Sequence, residues 1–352
     1  MMKSLNKLEI SSITYFLMRS CFMGISLNYI LKYAKQDSYL SMIVGSILGL
    51  LPVVVYLYII KDKKEQSLKE YLQTKAGKII GTLVWIFMFF FTLLFTSYVF
   101  HEFTHFIQIE YLSKTPRIFI LFAFLLPLLY LVKKGIKVIG EVSTILFYFS
   151  IILLLITCSS LIFQVDFENL LPIFEHTDQV WDTSFIYVGF NVLPLFFLTN
   201  LPFENNTHYG KMITGIYFLN MIILTVTTFL TVTILGIHLA STYIYPEFHL
   251  LKQVSVIGVL GHLESILAFQ GIFDSYIMLA IALYFLSTFT EYKHIVELSF
   301  VIFLITYLFS NSILNAQFMI YGIYLVYLLL PCFVLIIGFI KNLFHKKKLP
   351  QR

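Results

Sequence analysis

The feature that most constrains this chain is a succession of apolar runs, each about 20 residues long, separated by short polar breaks. A helix of that length crosses roughly 30 Å of hydrocarbon. Of the 352 residues, 59% are hydrophobic and only 12% charged. Mean hydropathy is +0.86. Those values exclude a soluble globular protein. The chain reads as an all-α polytopic membrane protein, a single domain over 1–352, with no stretch long enough for a second, soluble one.

Ten spans are expected, at roughly 10–31, 39–60, 79–104, 116–132, 138–163, 184–203, 211–237, 263–288, 294–314 and 317–341. With the N-terminus inside, eighteen of the 24 Lys and Arg residues fall in inner segments and five in outer ones, Arg19 lying within a span. That asymmetry orients the chain with both termini cytoplasmic. It also explains the net charge of +5 without a nucleic-acid partner. The acidic loop Gln164–Asp182 fits outside, and Glu141 and Glu297 fit inner span ends. Cys21, Cys158 and Cys332 sit inside apolar runs as small hydrophobes, not as a disulfide framework. Arg19 interrupts the first run and no small-residue cleavage site follows, which argues against a signal peptide.

Ten spans divide as five plus five, and an odd number per half inverts the second half relative to the first. The repeats would be about 10–163 and 184–341. The sixth span is then the mate of the first. It is interrupted by Gly189, Asn191 and Pro194, with Pro202 near its end. Pro194 lacks an N–H and its ring clashes with the carbonyl of Phe190, so the helical ladder must open. Opened backbone at membrane depth is tolerated only against protein or a wet cavity. The stretch is therefore either a broken helix at a transporter-like site or a proline kink packed against neighbours. The first span has its own irregular point at Cys21-Phe22-Met23-Gly24-Ile25-Ser26, although a lone glycine also serves close helix packing.

Half-helix N-termini present unpaired N–H groups and partial positive charge, which suits a ligand carboxylate. The backbones of Gly24, Ile25 and Ser26 are candidates for that role. Carbonyls at Phe190, Asn191 and Val192 could receive an ammonium, with Asn191 adding a side-chain amide and Gly189 the local freedom. Phe22, Tyr187 and Phe190 could line the apolar part, although each is equally at home in helix packing. Asp274 is an intramembrane carboxylate and a functional candidate on that ground. It would bind a ligand ammonium, a proton or sodium, or pair structurally with Arg19.

His101-Glu102-Phe103-Thr104-His105 is an H-E-x-x-H, whose histidines share a helix face and could hold zinc with Glu102 activating water. Intramembrane zinc proteases also use an Asp-Gly on a later span. Asp274 is followed by Ser275, and the motif is expected at the outer end of the third span, where water and headgroups satisfy it. Between the seventh and eighth spans, Tyr245-Pro246-Glu247 reads as a turn. Phe248–Leu260 reads as an amphipathic helix on the outer surface, either a lid or a helix lying in the interface.

Tyr245-Pro246-Glu247-Phe248-His249-Leu250-Leu251-Lys252, followed by Ser255-Val256-Ile257-Gly258 and Leu263-Glu264, resembles the spore germination receptor B-subunit family. That family belongs to the amino acid–polyamine–organocation transporter superfamily. Gln36-Asp37, Ser67-Leu68-Lys69-Glu70-Tyr71 and Asn169-Leu170-Leu171-Pro172 resemble family features too, and their order covers essentially the whole chain. The chain departs from the pattern in offering only Gly24 and Ser26 as small residues at the first break, and in placing Ser265 after Glu264. The resemblance implies a LeuT-like fold, with recognition of a small nutrient, most simply an amino acid, at the broken first and sixth helices. It also implies A-type and C-type receptor subunits as partners, residence in the spore inner membrane, and neither cofactor nor enzymatic activity. A proton- or sodium-coupled amino-acid transporter of the same fold is the alternative, and the zinc protease a more distant one.

Overall fold

A computed structural model describes residues 4–204, 208–254, 263–308 and 316–346. The described chain is helical throughout, with no β-strand. A single bridge, Leu5 to Phe203, ties the start of the first helix to the end of the sixth apolar stretch. Among the described residues, seven helical stretches are long and apolar enough to cross a membrane. The first of them, Lys7–Lys63, has 57 residues, and as one straight rod it would be far longer than a bilayer is thick. It is not one rod, because Lys35 turns the chain with a φ of 47°.

In order, the helices are α1 Lys7–Arg19, α2 Leu27–Ala34, α3 Ser38–Leu48, α4 Leu50–Lys63, α5 Leu68–Ala76, α6 Lys78–Glu110, α7 Arg117–Lys133 and α8 Ile136–Leu161. There follow α9 Thr177–Tyr187, α10 Tyr209–Thr242, α11 Pro246–Leu251, α12 Leu263–Thr288, α13 Ile295–Leu308, α14 Ala316–Ile323 and α15 Leu330–Lys346. Residues 309–314 of the expected ninth span lie outside the described residues.

The first span breaks where expected. A capping box between Asn6 and Glu9 starts α1. After Ser20 the path leaves helical geometry at Met23 (ψ 125°) and Gly24 (φ 72°) and resumes at Leu27. Only glycine fits there. The φ lies in the left-handed region, and a Cβ would run into the Tyr245 ring.

The sixth stretch is irregular in another way. Beyond α9, Val188–Val192 forms a wide π-type turn and Leu193–Asn200 a tight 3-10 segment with Pro194 in its first turn. The bond that Pro194 cannot donate is absorbed by this change of pitch rather than by a gap. Every side chain from Tyr187 to Thr199 is buried.

Several of the short motifs hold joints together. The Asp37 carboxylate accepts the N–H groups of Phe174 and His176, both at 2.9 Å, and Gln36 donates to the Pro172 carbonyl at 2.9 Å. Asn169 donates at 2.8 Å to the Thr233 carbonyl, freed by the kink at Gly236 (φ 69°) in α10. Ser67 and Glu70 form the capping box of α5. Ser255–Gly258 lies outside the described residues, and at Leu263-Glu264 only the helical backbone is described.

The segment expected as an outer helix packs against the bundle with one face buried, while Ile244, Lys252 and Gln253 on either side are exposed. Pro246, Glu247, Phe248 and Leu250 of α11 are buried. The helical reading of Phe248–Leu260 is met only as far as Leu251, and 255–262 lie outside the described residues. Burial follows from the aromatic set: Tyr245 and Phe248 pack edge-on against Phe106 of α6, at 4.9 and 5.7 Å.

Candidate functional site

Ending α1 inside the bundle frees its last carbonyls, which need donors from elsewhere. Asn191 donates to Met18 at 2.9 Å and Ser275 of α12 to Ser20 at 3.3 Å, while Asn220 of α10 adds a further donor at 3.4 Å to the Tyr15 carbonyl in the last turn. The break is thus held open by side chains chosen for it, not left as a defect. Asn191 spends its amide N–H here, while its side-chain oxygen is buried without a partner among the described residues.

On the other side of the break, Glu247 of α11 is 7% exposed and accepts the Gly24 N–H at 2.9 Å. Asn28 adds a second tie, donating to the carbonyls of Tyr243 and Ile244 at 2.7 and 3.1 Å. Arg19, the last residue of α1, reaches Asp274 of α12 through Nε, 3.1 Å from Oδ2 and 3.3 Å from Oδ1. The guanidinium also lies 5.0 Å from the centre of the Tyr15 ring. Burial of either charge alone would be costly, and the pair removes that cost.

A cavity of about 70 Å³ opens beside the break, between α1, α8, α10, α11 and α12. At ~10–15 Å³ per water it has room for several waters or one small solute. Its polar wall is Arg19, Asp274, Glu247, Gln270, Thr157 and Thr227, and its apolar wall includes Phe22, Leu154, Leu230 and Leu250. Two of the lining residues keep a buried polar atom with no hydrogen-bond partner among the described residues: Nη1 of Arg19 and Oε2 of Glu247. An orphan donor and an orphan acceptor on residues of one small cavity suit a ligand that carries both complements.

Of the residues singled out in the sequence, Phe22 and Asp274 line this cavity, and Gly24 touches it through Glu247. Ile25 lines a smaller void of about 10 Å³ against Glu102 of α6, and Ser26 is buried with an unpartnered hydroxyl. The sixth stretch is turned elsewhere. Tyr187 accepts a hydrogen bond from Ser46 and fills the space over Gly45, Gly189 faces Ile320 and Tyr324, and Phe190 packs toward Tyr98. Asn191 is the member of that stretch that reaches the break. Glu247 was visible in the sequence as a motif residue but not as part of a site, since nothing local says that an outer segment folds inward. Arg19 was visible as an intramembrane charge, with the right partner.

The H-E-x-x-H histidines are each engaged. His101 meets Arg117 of α7 through Nδ1, and His105 Nδ1 lies 2.9 Å from the Tyr245 hydroxyl. Their rings stack at 5.7 Å. Among the described residues no third His, Cys, Asp or Glu converges on them as a metal-binding group. They are also buried deeper than expected, because α6 continues to Glu110.

The chain matches the family model described as spore germination protein, the spore permease family, over residues 9–332. It is also 21% identical, over 238 residues, to a candidate spore germination protein, YfkT, of Bacillus subtilis (strain 168). That alignment takes in 68% of this chain and 66%, just under two-thirds, of the relative. A buried, capped break in an apolar helical bundle and a family match across nearly the whole chain lead to one conclusion: this is a multi-pass helical membrane protein that belongs to the spore germination protein family.

Proposed function

We propose that the protein is the nutrient-binding membrane subunit of a spore germinant receptor and takes a small amino acid in the cavity beside the first break. The observation that carries this reading is that two residues lining one cavity each keep an unpartnered polar atom among the described residues, Nη1 on Arg19 and Oε2 on Glu247. A zwitterion complements both. Its carboxylate suits a guanidinium, and its ammonium suits a carboxylate. Apolar residues opposite suit a short side chain.

The same reading takes the chain as ten spans in two inverted five-helix repeats of LeuT-like form, both termini cytoplasmic, in the spore inner membrane. A-type and C-type subunits would read the ligand-dependent state. Two features support the repeat: irregular points in the first and sixth stretches, which pack against each other, and a turn that divides Lys7–Lys63 in two. Binding would favour one arrangement of the broken segments over another.

The test is ligand-dependent stability of the purified protein against a panel of amino acids and sugars. A ligand at a hundredfold excess over its Kd adds about 2.7 kcal/mol. Cys158 lines the cavity, so in a Cys21→Ala, Cys332→Ala background the same ligand should slow its modification by a small thiol reagent. Absence of both effects for every amino acid would sink the proposal.

Secondary transport of an amino acid is a second reading. It is favoured by an inner vestibule of about 1170 Å³ that reaches Asn200 and Pro202 at the end of the sixth stretch. Accumulation in vesicles under a proton or sodium gradient would select it.

A further inference from the structure

Two carboxylates line the cavity, and they are not equivalent. Both oxygens of Asp274 lie within 3.3 Å of Arg19 Nε, so its charge is already engaged. Glu247 is held on one side only. Its Oε1 takes the Gly24 N–H, while Oε2 is buried without a partner among the described residues, on a side chain that lines the cavity. The segment that carries it is buried from Tyr245 to Phe248, with Ile244 and Lys252 exposed on either side. It is tied to the first span by this bond, by Asn28 on the Tyr243 and Ile244 carbonyls, and by the Tyr245 ring seated over Gly24. The carboxyl therefore joins three things: the cavity, the break and the outer segment.

We propose that Glu247 is the cation-accepting residue of the cavity and that its bond to Gly24 couples occupancy to the docking of α11 on the broken first span. This rests on reading the cavity as the ligand site. A bound ammonium on Oε2 satisfies the orphan acceptor and draws electron density from Oε1, which loosens the Gly24 bond. Arg19 then serves the anionic end of the same ligand. Asp274 acts as a positioning residue that holds Arg19.

The experiment uses the full chain in nanodiscs with the two halves of the simplest zwitterion: methylammonium as cation, acetate as anion, and glycine as both. Choline chloride, too bulky for the cavity, matches the salt. Thermal unfolding and hydrogen exchange over residues 22–28 and 243–251 are read for the natural chain and for Glu247→Gln. The readings are made above pH 8, where Glu247 is ionised; glutamine keeps an acceptor for Gly24 but carries no charge. The expected result is stabilisation by methylammonium and glycine, with faster exchange in both segments. In Glu247→Gln the methylammonium effect should vanish and glycine bind at least tenfold more weakly, with acetate unchanged.

Should Glu247→Gln not fold, Glu247→Asp gives an independent reading. One methylene shorter, it keeps the charge and loses the reach to Gly24, so cation binding persists while exchange at 22–28 is already fast without ligand. Equal stabilisation of natural and Gln chains by glycine overturns the role of Glu247 and leaves the amino-acid reading standing. A methylammonium effect that depends on Glu247, with no amino acid binding, does the reverse. Cation binding with unchanged exchange in both segments overturns the coupling.

Discussion

The first and sixth apolar stretches carry the same kind of sequence interruption and resolve it in opposite ways. At the first, Gly24 takes a left-handed φ of 72° and the helix stops and restarts. The carbonyls set free are met by Asn191 and Ser275, and the far side opens on a cavity with charged residues in its wall. At the sixth, the chain changes pitch without stopping, and aromatic neighbours close over it. Phe196 stacks on Tyr327 at 5.2 Å, and the Tyr56 hydroxyl donates to the Tyr327 carbonyl at 2.8 Å. The difference teaches that an interruption becomes a site only where its freed groups meet polar side chains and a void. Beside Pro194 the Tyr56 hydroxyl reaches the Leu193 carbonyl at 3.4 Å, but the void there is only about 10 Å³, so its stretch serves as scaffold for the first.

The largest test of that contrast is Asp274→Ala. It leaves Arg19 buried and unpaired at the break and should cost about 3–5 kcal/mol, read from unfolding in detergent. An Arg19→Met, Asp274→Leu double substitution should recover much of the loss while leaving the cavity without its charges. A small effect of Asp274→Ala would mean that water reaches the pair freely.

Next comes a matched glycine pair. Gly24→Ala carries a left-handed penalty of about 1–2 kcal/mol and a clash with the Tyr245 ring, so roughly 2–3 kcal/mol is expected. Gly189→Ala has no such φ, and its Cβ would meet Ile320 at 3.0 Å, so it should cost under about 1 kcal/mol. Equal costs would erase the distinction between a true break and a change of pitch.

The most gradual effect is the pH dependence that Glu247 confers. Burial is the main cause that pushes its carboxyl up from 4.5 to about 8, and the hydrogen bond from Gly24 opposes it only in part. Between those values the folded chain holds a proton that the unfolded chain has lost. Stability is therefore greatest at the acid end and falls as pH rises toward 8, by no more than about 1.4 kcal/mol per pH unit. Other titratable groups surround it: Arg19 and Asp274 across the cavity, Glu102, His105 and Glu110 on α6, and Tyr245 and His249 on its own segment. The measurement is consequently a difference, natural chain minus Glu247→Gln, from pH 5 to 9. A flat difference would mean that Glu247 is ionised in the folded state throughout.

The sequence by itself determined the class of the molecule. Apolar runs of membrane length admit only internally bonded backbone, so helices follow from solvent physics alone. Gly24 marked the first break because few other residues accept its φ, and Arg19 and Asp274 announced each other because isolated charges do not survive in hydrocarbon. The joints were legible as motifs but not in their purpose. That Asp37 holds the Phe174 and His176 amides depends on a contact 137 residues distant. What only the tertiary structure decided is which interruption faces a void and which is packed shut. It also decided that α11 turns inward to bring Glu247 to the break. Both depend on complementary surfaces from helices far apart in the chain, and local periodicity carries no record of which surfaces will meet.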